Sequence, residues 1–455
     1  MDSKDIGRLE QELNSFDADD RKEALDSLKH LSGEKDQELQ NVNLHFHSFN
    51  SYNAENWSPS RIAWESKKRA LYASGIIDFD VLAGLEEFFS ACELLGVRSC
   101  VGMETRAFLN EYAHKEIDSP GEPGVSYIAG AGFCRVPEED SPQALELEKY
   151  SKNARERNLA LIRRINAHVP DIALSYGEVT PLTPSGNATE RHIVSAYIEK
   201  SFRVFPEKNA LHSYWASLLD SDPESTGKLI GERHRLEDVV RSRFAKRGGF
   251  GYIQPTSQSF PPMEEFFAFV KACGAIPMES WLDGTSEGEK DGKALLELSR
   301  SKGAAALNLI PDRNWNIADA EVKALKTRNL RSIIDAAVSM DMPIHIGTEM
   351  NKKGLPFADE LHGADLKPYK EIFLDGARIC VGHTVLGRFA DFTYVGKEAE
   401  SEYPGLKERN SFFASVGALP PVNTLIADAL RDAESERSFS LICESAKKGK
   451  WKIIK

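Results

Sequence analysis

Long apolar runs are missing from this 455-residue chain. No stretch approaches the about 18 consecutive apolar residues of a membrane span, so a spanning segment is excluded. The amino terminus, MDSKDIGRLEQELNSFD, lacks the apolar core of a signal peptide. Cysteine is sparse, and Cys92, Cys100, Cys134, Cys273, Cys380 and Cys443 include no C-x-x-C pair, which argues against a disulfide framework and for reduced, buried thiols. A cytoplasmic location is the expectation. Basic charge is also in deficit: 57 Lys and Arg face 70 Asp and Glu for a net charge of −13. A broad nucleic-acid-binding face is disfavoured, although a local basic pocket for one small anionic substrate is compatible with that balance. What is present, 41% hydrophobic and 28% charged residues, is ordinary for a soluble globular enzyme. The length accommodates a barrel of about 200 to 250 residues with additions.

The stretch NVNLHFHSF (41–49) organises the rest. Val42 and Leu44 alternate with polar neighbours and lead into His45-Phe46-His47, so period-two geometry places both imidazoles on one face of a strand end, where they can grip one metal ion. A lone His-x-His is equally readable as a hydrogen bond to a loop. Two further strand-helix units shift the balance. GIIDFDVLAGLEEF carries Asp78 and Asp80 at the end of an apolar burst, and GVRSCVGMETRAF ends one at Glu104. Ligand-type residues at the C-terminal ends of successive strands stand where parallel α/β barrels perform chemistry.

The spacing predicts a helical extension over 1–40, with Leu9, Leu13, Leu25, Leu28 and Leu31 at helical intervals. That extension is expected to cap the barrel or to bridge subunits of an oligomer. Residues 41–140 and 250–400 read as barrel, because bursts such as GFGYIQP, GAIPMESWL, AAALNLIP and MPIHIGTEM alternate with helical segments, which argues for a parallel sheet closed or nearly closed. The long charged helix and turn-rich loop between them make 141–249 an inserted, mainly helical subdomain. Residues 401–455, ending in WKIIK, form a helical tail.

In the order of its motifs, His-x-His, then an acid followed by VLAGL, then Gly-Met-Glu, the chain resembles the polymerase and histidinol phosphatase (PHP) family of metal-dependent phosphoesterases. The resemblance implies a distorted (β/α)7, TIM-like barrel. It also implies a cluster of up to three divalent metals that hydrolyses phosphate esters with activated water, here of a small phosphorylated metabolite or nucleotide. On it, His45, His47, Asp78, Glu104 and Glu349 become metal ligands, His192 a ligand from the insertion, and Arg191 a phosphate clamp. Glu279, within Met278-Glu279-Ser280, stands where the family carries a histidine.

Departures from the family pattern remove other ligands. Tyr127, Phe79, Tyr52 and Asn351 occupy positions where the family places metal-binding side chains, and Gly347-Thr348-Glu349 replaces its Gly-Ser-Asp. The expectation is therefore one secure divalent ion (Zn, Mn, Fe or Mg), a possible second, and no third. His345 and His383, on or after late apolar runs, are candidates for general acid or substrate contact, and each is equally readable as a structural histidine. Lys352 and Lys353 could meet an anion. The alternatives are a catalytically decayed binding protein and an amidohydrolase-like C–N hydrolase or decarboxylase.

Overall fold

The computed structural model describes residues 3–31 and 39–452. Residues 32–38 of the N-terminal extension and the last three of WKIIK lie outside the described residues. Seven strands form one sheet in chain order: β1 (Leu39–Phe46), β2 (Leu71–Phe79), β3 (Arg98–Phe108), β4 (Val125–Ala131), β5 (Ile276–Trp281), β6 (Ala306–Leu309) and β7 (Ile344–Ile346). Beyond β7 the chain returns to β1. The His47 N–H donates to the Glu349 carbonyl at 2.9 Å, and the Glu349 N–H donates to the His45 carbonyl at 2.8 Å. The sheet is thereby a nearly closed barrel, and the closing contact lies at the histidine pair.

Sequence explains the strands and their helices locally. Val42, Leu44 and Phe46 are buried on one side of β1 and alternate with buried Asn43 and His45 on the other. The helix Pro59–Lys68 that follows β1 starts at Ser58, whose hydroxyl accepts the Arg61 N–H at 2.9 Å, with proline at the first helical position. The helix Leu85–Leu95 ends at Gly96 in the left-handed region, φ 63°, and returns the chain to β3.

Two expectations are corrected. The sheet is not all parallel, since β4 pairs antiparallel with both β3 and β5. The β3–β4 connection, residues 109–124, contains a single short 3-10 turn, too little for the crossover helix a parallel neighbour requires. GFGYIQP is turn and loop rather than strand, and the sheet resumes only at Ile276.

The chain divides into two compact units. The first comprises Met1–Ser48, Asn53–Glu146 and Pro255–Lys455 and holds all seven strands. Within it the helices Ser3–Glu12 and Ala18–Leu28 bury Leu9, Leu25 and Leu28, with Leu13 buried just past the first, and dock on the helices after β1 and β2. Glu10 there accepts the Trp64 indole N–H at 2.8 Å, and Arg21 pairs with Glu87. The apolar side of the extension is thus covered within the chain. The helix Lys370–Ala390 packs along β7 and β1. The second unit, Phe49–Tyr52 and Leu147–Gln254, has its own core, in which Ile165, Ile193, Tyr197, Trp215, Leu236 and Phe244 are fully buried. No helix among the described residues is long and apolar enough to cross a membrane.

Candidate metal centre

Four side chains of the first unit meet at the barrel mouth. His45 and His47 leave the end of β1, Glu104 lies mid-way along β3 in register with Phe79 at the end of β2, and Glu349 follows β7. One ligand atom from each lies within 4.8 Å of the others. Nε2 of each histidine is 3.5 Å from Glu104 Oε2, too long for a good hydrogen bond. His45 and His47 are 0% exposed, Glu104 3% and Glu349 7%, so solvent does not satisfy them. Among the described residues, His45 Nε2 and Glu104 Oε2 have no hydrogen-bond partner.

The local backbone aims these groups. Glu349 and Met350 both adopt left-handed conformations, φ 63° and 51°, at about 1–2 kcal/mol each for a side-chain-bearing residue. The closing bridge and the Arg313 contact hold this bend in place. Gly347 makes the closure possible, because a Cβ there would stand 2.5 Å from both Asn43 Oδ1 and the His45 nitrogen. Asn43 Oδ1 itself accepts the His45 N–H at 2.9 Å and the Thr348 N–H at 3.3 Å, tying β1 to the segment after β7.

Asn308, at the centre of β6, fixes the histidine tautomers. Its amide nitrogen donates to Ser280 Oγ at 3.0 Å, so its Oδ1 faces His45 Nδ1 at 3.3 Å and His345 Nδ1 at 3.0 Å. A carbonyl oxygen only accepts, so Nδ1 of each ring carries the proton and the His45 Nε2 lone pair is left for a cation.

Charge is balanced at a distance. Burial opposes ionisation of Glu349, but the Arg313 guanidinium, 2.6 Å from Oε2, and the two imidazoles outweigh it and hold the carboxyl at about 2. Burial raises Glu104, with partial relief from His45. His45 is held down by burial but raised on balance by Glu104. Asp312, beside Arg313, is pushed up to about 7, chiefly by burial. Two imidazole nitrogens and two carboxylates, buried and convergent, fit a borderline divalent ion such as zinc, manganese or iron.

Other predicted residues have partners of their own. Asp78 turns both carboxylate oxygens to Ser48, accepting its N–H at 2.8 Å and its hydroxyl at 2.6 Å, and so braces the turn after the histidines. It is not among the four convergent ligands. Glu279 is corrected by strand alternation. It faces the outer layer, accepting from Ser299 and from Ser126 (3.3 Å), whereas Ser280 faces Asn308. His383 follows no strand. It lies inside the helix Lys370–Ala390 with Nε2 2.8 Å from the Gly132 carbonyl and Nδ1 accepting the Tyr394 N–H at 3.0 Å, so both nitrogens are engaged and it is a structural histidine. His345 lies on β7, fully buried, with burial pushing it well below the ordinary histidine range. It is thus a neutral neighbour of His45, unable to supply an acid proton at neutral pH.

Arg191 and His192 begin the helix Glu190–Val204 of the second unit. His192 Nδ1 accepts the Thr189 N–H at 3.0 Å, and Arg191 reaches Asp238 at 3.4 Å and lies over the Tyr52 ring. Phe79 stacks on His47 with ring centres 4.8 Å apart, and Tyr127 meets Phe79 edge-on. An aromatic wall therefore stands where the family resemblance would place further ligands. Lys353 is paired with Glu55 at 3.0 Å. Asn308 and Arg313 escaped the sequence reading. Their signals were a polar residue inside the apolar run ALNLI and a cation just past its end.

No protein-family model and no curated protein matches the chain. Among solved structures it is similar to a protein of Bifidobacterium adolescentis described provisionally as a metal-dependent phosphoesterase. That match has 15% identity and TM-score 0.44 and covers 70% of this chain and 92% of the other. It is also similar to an amidohydrolase of Chromobacterium violaceum solved with bound sulfate and no metal. Here identity is 14% and TM-score 0.45, over 73% of this chain and 95% of the other. Both similarities are too remote to carry either protein's activity to this chain.

Proposed function

We infer that the protein is a metal-dependent hydrolase that holds one catalytic divalent cation between His45, His47, Glu104 and Glu349 and cleaves phosphate esters of small molecules. One observation carries the reading: four buried ligand atoms converge within 4.8 Å at the mouth of a barrel. Their supports favour the same conclusion. Asn308 keeps the His45 Nε2 lone pair free, and Arg313 occupies Glu349 Oε2 and leaves Oε1 available. A bound divalent cation supplies Lewis acidity, lowering the pKa of water towards 7 and polarising a substrate oxygen. The chain's own part is to hold Glu349 ionised through Arg313, which also balances charge, to keep the ligands converged, and to exclude bulk water through the Phe79 and Tyr127 wall. That wall favours a single ion over a cluster of three.

Metal analysis of protein purified without chelator tests this, with a panel of phosphate monoesters and diesters assayed in Mn, Zn and Mg. About one equivalent of metal per chain and turnover abolished by His45→Ala are expected. Three tight equivalents per chain would overturn the one-ion reading, and absence of turnover with every metal would remove the hydrolase.

A further inference from the structure

Arg313, beside the four ligands, is a cation whose hydrogen-bonding capacity is largely unused. It lies on the single-turn helix Asp312–Trp315, immediately beyond β6. Its NH2 donates to Glu349 Oε2 at 2.6 Å. Among the described residues, Nε and NH1 have no partner. The side chain is 41% exposed, so solvent and a solute reach it. A guanidinium held at one nitrogen keeps the rest of its planar fork aimed in a set direction, the arrangement that binds an oxyanion through two parallel N–H bonds.

The charge count points the same way. Glu104, Glu349, a divalent cation and Arg313 together leave one net positive charge, which Asp312 beside Arg313 offsets only as it ionises, since burial pushes it up to about 7, while the protein as a whole carries −13. A local positive site in a negative molecule selects for anions and steers them inward. Arg191, which the family resemblance offered as the clamp, already contacts Asp238 in the second unit, and Lys353 is neutralised by Glu55. Arg313 alone combines contact with a ligand carboxylate and open donors.

We propose that Arg313 is the anion-recognition residue of this site and binds the substrate's phosphoryl oxygens through Nε and NH1 while NH2 stays on Glu349. The proposal rests on the cation reading of the four-residue cluster. It adds that the substrate presents its phosphoryl group within one arginine's reach of Glu349, so specificity for phosphate over neutral groups originates at the end of β6.

Calorimetric titration of inorganic phosphate into the manganese-loaded protein tests it, with wild type, Arg313→Ala and Arg313→Lys compared and manganese affinity measured in parallel. Loss of the charge-assisted pair should weaken phosphate about 10- to 100-fold in Arg313→Ala, with partial recovery in Arg313→Lys, which restores charge but not the fork. Manganese affinity should be kept or raised, because Glu349 loses its competing cation. Phosphate binding unchanged within about twofold in a manganese-loaded Arg313→Ala would overturn the proposal and leave Arg313 a counter-ion. So would a wild type that binds manganese and not phosphate, or one that prefers acetate. If wild type binds no metal, the cluster reading fails. An Arg313-dependent phosphate isotherm in that metal-free protein would still support the anion site, and a flat one would remove it.

Discussion

Removing the shared acceptor at Asn308 should disarm the metal centre without touching a ligand. In Asn308→Ala the Nδ1 protons of His45 and His345, now 3.3 and 3.0 Å from Oδ1, lose this acceptor in a fully buried setting. Each unpaired donor costs about 1–3 kcal/mol, so the pair predicts about 2–6 kcal/mol of destabilisation. His45 has a way to recover part of this cost, because Glu104 Oε2 lies 3.5 Å from Nε2. Moving the proton to Nε2 lets it donate there, and the lone pair that would meet the cation is lost. Metal affinity should therefore fall about 10- to 100-fold, the usual effect of losing an outer partner of a ligating histidine. The assay is competition of zinc or manganese against a fluorescent chelator, with melting followed by circular dichroism on the same samples. Asn308→Asp is the control for general damage, since its carboxylate also accepts from both rings and should retain metal. A folded Asn308→Ala that binds metal within about twofold of wild type would refute the tautomer argument.

Three further outcomes follow from the same geometry. Metal binding should release protons and weaken as pH falls, because the Glu104 and His45 pair is shifted upward in the free protein and an incoming ion must displace what they hold; titrations in buffers of different ionisation enthalpy that give equal apparent enthalpies would contradict this. Glu279, raised to about 8 by burial against an ordinary 4.5, binds more protons folded than unfolded between those values, so its contribution lowers stability as pH rises through that window; Glu279→Gln should gain melting temperature over wild type at pH 9 and little at pH 5, with a ceiling on the order of 5 kcal/mol, and an equal shift at both pH values counts against it. Gly347→Ala should cost several kcal/mol, on the order of other forced overpacking, and weaken metal binding with it, because the new Cβ would meet the β1 backbone and push the Glu349 segment from His45; a variant that melts like wild type would show that the closure yields easily.

Much of the architecture was legible in the chain because it follows from local physics. Period-two alternation at 41–47 determined a strand with two histidines on one face, and apolar bursts separated by helical segments determined an α/β sheet. The convergence of His45, His47 and Glu349 was legible too, since strand ends at one barrel rim meet whatever lies between them, whereas Glu104 lies mid-way along a β3 that runs on to Phe108 against β4. The tertiary structure decided what periodicity does not encode. The direction of β4 depends on a connection too short for a crossover, and the fate of Glu279 on which face of one strand it occupies, a shift of a single residue. His383 could be assigned only when its two backbone partners came from segments 251 and 11 residues away. Asn308 and Arg313 acquire their roles across 263 and 36 residues of chain, through contacts that exist only once the barrel has closed. Ligand types are a property of short stretches, whereas the groups that orient and balance them are chosen by proximity in space.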